Sequence, residues 1–114
     1  MIWRIRDHAV FARFRRDGRR ARVGSLWMSV IADPAAIPPR VGFAVGRSAG
    51  SAPVRNRIRR RLRALARAHA ERLRPGWYLV GADGSFAELP FRDAEHTFLT
   101  ALAEVGAMQP GTTS

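Results

Sequence analysis

The sequence predicts a single α+β domain in which a β-sheet packs against helices. Three observations lead to this prediction. The chain has 114 residues, a length that suits one hydrophobic core. Its apolar residues follow a two-residue period in some segments and a helical period in others. Glycine and proline separate these segments into the order helix, strands, helix, strand, helix.

The first part of the chain predicts a short helix followed by two strands. Residues 7–16 suit the helix, with Asp7 as its N-cap and Gly18 as its stop. Residues 19–32 predict two consecutive strands that break near Gly24. Because side chains alternate across a strand, the second of these strands has two different faces. One face carries Leu26, Met28 and Val30, and the other carries Trp27, Ser29 and Ile31.

The rest of the chain predicts a strand, a long helix, a strand and a last helix. Residues 40–46 alternate as a strand, and a helix runs from Ser51 as N-cap to about Leu73. Residues 77–82 give the strongest strand signal, and a helix covers residues 91–105. The apolar residues on one side of this last helix are predicted to be buried, and they are Phe91, Ala94, Phe98, Leu102 and Val105.

The predicted architecture is a two-layer sandwich with a four-stranded sheet and three helices in the order α-β-β-β-α-β-α. Residues 1–106 would form this domain, and residues 107–114 a flexible tail. No apolar run approaches the roughly 20 residues of a membrane span, and we expect a soluble, cytoplasmic protein. The absence of cysteine excludes a disulfide framework and a thiolate metal site.

The charge predicts a polyanionic partner. The chain has 20 basic residues, all of them Arg, against nine acidic ones. The first 63 residues contain 16 Arg and three acids, a net charge of +13, whereas the remaining residues carry −2. A strongly basic, clustered charge of this kind is typical of a surface that binds nucleic acid.

The long helix concentrates this charge on one side. On a helical wheel its apolar residues Val54, Ile58, Leu62 and Leu65 fall in one arc of about 80°. The opposite side carries Asn56, Arg59, Arg60, Arg63 and Arg67. Arg59 and Arg63 are a like-charge pair at i,i+4, which destabilises a helix by a few tenths of a kcal/mol. No acid occurs between Asp33 and Glu71, and this favours neutralisation by a ligand over a simple solvated face.

The segment 47–63 resembles the signature of the bacterial ribonuclease P protein subunit. The matching residues are the basic Arg47, then Gly50 and Ala52, then Arg55-Asn56-Arg57, then Arg59-Arg60 and Arg63. Phe11 with the basic residues that follow it and the strand from Arg40 also match. With the later strand and helix, the resemblance covers about residues 4–105. The sequence departs from the family pattern at Pro53 and Ala64.

The resemblance implies a fold, an activity and partners. The fold would be ribosomal protein S5 domain 2-like, with a left-handed β-α-β crossover. The protein would be one subunit, beside one catalytic RNA, of the endoribonuclease that removes the 5′ leader of precursor tRNA. The RNA and the Mg²⁺ bound to it would carry out the hydrolysis, with no metal site in the protein.

The resemblance also assigns two binding surfaces. The residues that would bind the catalytic RNA are Arg47, Arg55, Asn56, Arg57, Arg59, Arg60 and Arg63. A cleft between the first helix and the sheet would hold the single-stranded leader, with Phe11, Trp27 and Ser29 along it. Aromatic side chains next to basic ones suit unpaired bases. Plain core packing is the alternative for these aromatic residues. It is the favoured interpretation for Phe14, whereas the cleft is favoured for Phe11 and Trp27.

The residue types do not predict a catalytic protein. The nine acids are scattered, and His8, His69 and His96 form no ligand motif. A structural RNA-binding protein such as a ribosomal component is the alternative to the ribonuclease P assignment. A protein-only nuclease, a protein that binds duplex DNA and a helix that lies on a membrane surface are less well supported classes.

Overall fold

The computed structural model describes residues 3–4 and 8–106, with side chains from residue 12 onward. The regular elements are β1 (Trp3–Arg4), α1 (His8–Asp17), β2 (Arg19–Val23), β3 (Leu26–Ala32), β4 (Arg40–Ala44), α2 (Ala52–Ala68), β5 (Gly76–Ala82) and α3 (Phe91–Glu104). Short 3-10 turns cover Arg47–Ala49, Ala70–Arg72 and Gly84–Glu88. The α+β class and the predicted order of helices and strands are confirmed. The two-residue strand β1 is an addition at one edge of the sheet. The predicted N-cap Asp7 and the tail 107–114 lie outside the described residues.

The strands form one mixed sheet in the order β1-β4-β5-β3-β2. β3 pairs with β2 and β5 in antiparallel fashion, whereas β4 pairs with β5 and β1 in parallel. The hairpin between β2 and β3 turns at Gly24, whose φ of 57° lies in the left-handed region that glycine adopts without strain. β4, α2 and β5 form the parallel β-α-β unit. The left-handed sense of its crossover stays a prediction.

The structure differs from the sequence prediction at the end of α2 and in the burial of the first residue of α3. α2 ends at Ala68, about one turn before the expected end, and His69 caps it before the chain bends into a 3-10 turn. The bend carries Leu73 into the core, where only 3% of it is exposed. In α3, Phe91 is 48% exposed, so its predicted burial is wrong. As the first residue of α3, Phe91 lies at the end of the apolar stripe, and the core takes Ala101 further along the helix.

The main core lies between one face of the sheet and the helices α2 and α3. α2 packs against β4, and α3 packs against β2 and β3. Ile58, Leu62 and Leu65 of α2 are fully buried, as the wheel predicts, whereas Val54 is half-buried. The sheet contributes its predicted core face, Leu26, Met28 and Val30.

A smaller core lies on the opposite face of the sheet, where α1 crosses β3. Phe14 of α1 is buried there against Ile31 and Leu79. Trp27, Ala44 and Trp77 pack around this cluster and are half-buried. Because α1 covers only part of this face, the end of the sheet near Trp27 is left accessible.

Arg61 joins α2 to the 3-10 turn after β5. Its guanidinium donates hydrogen bonds to the backbone oxygens of Phe86 (3.1 Å) and Leu89. These carbonyls belong to a turn with no sheet partner, and Phe86 is fully buried. Arg61 is half-buried and thus serves the fold, although its neighbour Arg60 is exposed.

We expect Arg61→Ala to destabilise the protein by about 1.5–3 kcal/mol, since hydrogen bonds from a charged donor are lost and buried carbonyls are left unpaired. Arg60→Ala removes the same charge from an exposed position and should change stability by less than about 0.5 kcal/mol. Urea denaturation of both variants measures the difference. Equal stability of the two variants would contradict the role given to Arg61.

Tyr78 gives the fold a specific sensitivity to alkali. Its side chain is 1% exposed, and its hydroxyl donates to the backbone oxygen of Arg74 at 2.6 Å. Burial raises the pKa of Tyr78 to about 12. The phenol is therefore neutral in the folded chain at a pH where it ionises in the unfolded chain.

We expect the free energy of unfolding to be independent of this group below pH 10 and to fall by about 2 kcal/mol as the pH rises to 11.5. The chain has no Lys, no Cys and one Tyr, so no other side chain titrates in this interval. Denaturation of the free protein between pH 9 and 11.5 measures the slope. Tyr78→Phe should have a flat profile, and a slope that persists in this variant would contradict the assignment.

Candidate nucleic-acid interface

The exposed side of α2 forms a concave basic surface, which we call the arginine face. A depression of about 610 Å³ is lined by Pro53, Asn56, Arg57, Arg59, Arg60 and Arg63. Five of the seven residues predicted to bind catalytic RNA thus surround one depression. The helical period brings them together, because residues three and four apart lie on the same side of a helix. Pro53, a departure from the family pattern, sits in the first turn of α2 and forms part of this wall.

Arg59 is anchored within the arginine face. One of its terminal nitrogens donates to the backbone oxygen of Val45 at 3.1 Å, and the other donates to Asn56 Oδ1 at 3.2 Å. The Asn56 amide oxygen is therefore engaged with Arg59, and its amide nitrogen keeps two donors for a ligand. Asn56 both orients Arg59 and remains an exposed polar contact.

Arg47 and Arg55 lie near the beginning of α2 but do not line the depression. Arg47 is exposed in the 3-10 turn that precedes the helix, and its backbone oxygen accepts from Gly50. Arg55 is half-buried, and its Nε is buried without a hydrogen-bond partner among the described residues. Arg47 thus adds an exposed positive charge before α2, whereas Arg55 is partly enclosed in the first turn of the helix.

No arginine of α2 forms an ion pair with a carboxylate in the described part of the chain. The ion pairs found there are Arg16–Asp17, Arg22–Asp83 and His69–Glu95. The like-charge repulsion predicted for this helix is therefore not relieved by any carboxylate among residues 8–106. A surface of this kind attracts phosphate groups, which arginine can bind in a bidentate manner.

A second concave surface, the tryptophan cleft, lies on the opposite face of the sheet. It is a depression of about 560 Å³ lined by Arg20, Ala21, Arg22 and Trp27. The Trp27 indole lies on Gly81 of the neighbouring strand, where a Cβ atom would come within 2.4 Å of the ring. The guanidinium carbon of Arg20 lies 5.5 Å from the centre of the indole. A half-buried aromatic ring next to two arginines is suited to stacking with an unpaired base.

The other two residues predicted for this cleft are placed differently. Ser29 is 1% exposed and lies beneath Gly18, where a Cβ atom would be 2.3 Å from its Oγ. It is therefore not part of the accessible surface, because α1 covers it. Phe11 belongs to α1, but its side chain lies outside the described side chains. Phe14 is a core residue with 5% exposure.

Sequence reasoning did not assign Arg20 and Arg22 to the cleft. The register pairs Arg20 with Ser29 and Arg22 with Trp27, so both arginines lie beside the Trp27 face of β3. The two-residue spacing in β2 is the signal that could have identified them. It was obscured by the adjacent Arg19, which belongs to the same run of basic residues.

The other tryptophan of this face has a structural role. Trp77 Nε1 donates to Asp33 Oδ2 at 3.0 Å, and the Arg40 guanidinium lies 4.8 Å from the centre of its ring. The hydrogen bond from Trp77 holds the pKa of Asp33 below its usual value, with a further contribution from the backbone N–H of Ala35. Trp77 is thereby tied to the loop after β3.

Neither surface resembles a metal centre. Among the described residues there is no group of three or more His, Cys, Asp or Glu side chains that could hold a metal ion. No helix in that part of the chain is long and apolar enough to cross a bilayer. The arginines and the Trp27 ring that line the two surfaces offer phosphate binding and base stacking.

Comparison with known proteins identifies the family of this chain. A family model described as ribonuclease P matches residues 2–106. The chain is 43% identical to the ribonuclease P protein component of Nocardioides sp., over 90% of this chain and 93% of that protein. It is 36% identical to the corresponding protein of Symbiobacterium thermophilum, over 93% and 90% of the two chains.

Solved structures share the fold. An RNase P protein from Staphylococcus aureus superimposes with a TM-score of 0.83 at 19% identity, covering 92% of this chain and 89% of that one. The RNase P protein of Thermotoga maritima gives 0.78 at 20% identity, covering 90% and 96%. The alternative of a ribosomal component is not favoured. The chain belongs to the bacterial ribonuclease P protein family and is the protein subunit of ribonuclease P, a tRNA-processing ribonucleoprotein whose RNA is its partner.

Proposed function

We propose that the chain binds the catalytic RNA of ribonuclease P through the arginine face and the 5′ leader of precursor tRNA through the tryptophan cleft. The observation that supports this most strongly is one depression lined by Asn56 and four arginines, which have no carboxylate paired to them among the described residues. A folded RNA supplies the phosphates that such a surface requires.

The two surfaces are suited to a common task. Trp27, Gly81 and Ala44 lie in one row across the sheet, because Gly81 pairs with both neighbours. Ala44 is the last residue of β4. The next residue, Val45, accepts a hydrogen bond on its backbone oxygen from the Arg59 guanidinium of α2. The cleft and the arginine face therefore lie toward the same end of the strands, on opposite faces of the sheet. One RNA bound to α2 would lie close to a leader bound at Trp27.

In this proposal the RNA, with the Mg²⁺ that it binds, hydrolyses the phosphodiester bond. The protein contributes positive charge between two polyanions and an aromatic surface for the unpaired leader. Since the described residues offer no carboxylate cluster, they suit a binding subunit better than a metal-dependent nuclease. We propose one protein per RNA, acting in the cytoplasm.

Reconstitution tests the proposed activity. The purified protein, the catalytic RNA and a precursor tRNA are combined at low Mg²⁺, where phosphate repulsion is least screened. Cleavage should be much faster with the protein than without it, and the protein alone should be inactive. Equal rates with and without the protein would refute the proposal, and cleavage by protein free of RNA would favour a protein-only nuclease.

We expect Arg57→Ala and Arg60→Ala to weaken assembly with the catalytic RNA. Each should also reduce the slope of log affinity against log salt by about one, since one phosphate contact is lost. Filter binding across a salt series measures both quantities. Arg92→Ala removes the same charge from the exposed side of α3 and serves as the control. An unchanged slope in the two α2 variants would place these arginines outside the interface.

For the cleft, we expect Trp27→Ala to weaken binding of the leader-bearing precursor by about 5- to 150-fold, the range given by losing one stacked base. Binding of mature tRNA should change much less, because it lacks the leader. Phe11→Ala tests the predicted contact from α1 in the same assay. Equal losses for precursor and mature tRNA would assign either side chain to the core.

A further inference from the structure

A negative charge that the proposed leader binding does not explain lies beside the tryptophan cleft. Asp83 Oδ2 lies 3.8 Å from the guanidinium of Arg22, one of the two arginines that line the cleft. We infer that Asp83 is a specificity-determining residue, which competes with RNA phosphates for Arg22 and thereby makes the cleft depend on base stacking at Trp27. This inference rests on the proposed leader-binding function.

Asp83 is held at this place by the backbone. It directly follows β5, and its N–H donates to the backbone oxygen of Ser25 at 2.9 Å. Ser25 lies in the hairpin turn that links β2 to β3. The carboxylate is therefore fixed beside the hairpin that carries Arg22 and Trp27, and it does not reach the cleft by chance rotation of a long side chain.

The two oxygens of Asp83 have separate partners. Oδ1 accepts hydrogen bonds from the backbone N–H of Ser85 at 3.0 Å and from its hydroxyl at 2.6 Å, and it caps the following 3-10 turn. Oδ2 faces Arg22. Since an asparagine side chain retains one carbonyl oxygen, Asp83→Asn can keep the cap while it removes the charge.

The Arg22–Asp83 pair is weak enough to exchange with a ligand. The side chains of Arg22 and Asp83 are 68% and 49% exposed, and exposed pairs of this kind contribute little to stability. A phosphate that enters the cleft must displace the carboxylate from Arg22 or remain beside it. In both cases, the favourable free energy of phosphate binding at Arg22 is reduced.

This competition would favour unpaired RNA. Phosphates are present on both single-stranded and paired RNA, whereas a base face is available for stacking at Trp27 only when the base is unpaired. A paired leader, which cannot stack at Trp27, would depend on a phosphate contact at Arg22, whereas a stacked leader can bind without filling that contact. An acid that weakens phosphate binding at Arg22 would therefore cost paired RNA more binding free energy than an unpaired leader. Discrimination against an unwanted partner by a repulsive group is a general way to achieve specificity.

The test uses the reconstituted complex of protein and catalytic RNA. It measures the affinity for a precursor tRNA with an unpaired leader and for the same precursor with its leader paired to a complementary oligonucleotide. Asp83→Asn should bind the unpaired leader about threefold more tightly, and the paired leader about tenfold more tightly. Its salt slope should increase by about 0.7, the value for one further contact to a single strand.

Three further variants make the result specific. Glu88→Gln removes an exposed acid from the same 3-10 turn and should leave affinity and slope unchanged. In an Arg22→Ala background, Asp83→Asn should have no effect, because the competing groups no longer meet. Asp83→Ser, which can also cap the turn, replaces Asp83→Asn if thermal unfolding shows that the latter has lost the fold.

Weaker or unchanged binding by both uncharged variants would overturn the inference, and so would an effect that persists without Arg22. Trp27→Ala in the same assay separates this inference from the function on which it rests. If Trp27→Ala weakens leader binding but Asp83→Asn does not raise the leader affinity, the inference about Asp83 is wrong and the cleft assignment stands. No effect of either substitution overturns the cleft assignment as well.

Discussion

The docking of α2 on the sheet is the interaction on which the rest of this structure depends. Ile58, Leu62 and Leu65 are completely buried in the main core, and burial of each such side chain contributes about 1.5–3 kcal/mol. The same helix carries arginines on its other side that repel one another and have no carboxylate partner in the described chain. The hydrophobic contact thus stabilises a helix whose exposed charges would disfavour it in isolation. A bound polyanion would remove this repulsion, so binding and folding of α2 support each other.

Arginine has three different roles in this protein, and position rather than residue type separates them. Arg60 is exposed on the arginine face, where a phosphate can reach it. Arg61, the next residue, bonds two backbone carbonyls and holds a turn without sheet partners. Arg20 lies over an indole ring in the cleft. A count of positive charge therefore overstates the number of groups that are available to RNA, because some of them already serve the fold.

Much of the fold and part of the site could be predicted from the sequence, for reasons that individual residues show. The alternation in β3 identified the core face of Met28, since a strand with one buried face must alternate. The helical period of α2 placed Asn56 and its neighbouring arginines on one side. The end of α2 was not predicted, because no local sequence signal marks the bend after His69. That bend places Leu73 in the core. Ser29 shows the same limit: its position in the strand indicated the cleft face but not that α1 covers it.

The sequence by itself determined the charge, its concentration in the first 63 residues and the periodicities that separate core from surface. These are properties of single segments, and local geometry is sufficient to read them. Only the tertiary structure decided which residues share a surface: Arg22 with Trp27 and Asp83, Arg59 with Val45, and Trp27 with Gly81. The register of the β2–β3 hairpin brings Arg22 beside Trp27. The other contacts join elements further apart along the chain, which strand order and helix packing bring together. The physical reason is that the periodicity of side chains along a helix or strand determines which residues share one of its faces. Which other element covers that face depends on how the elements pack together.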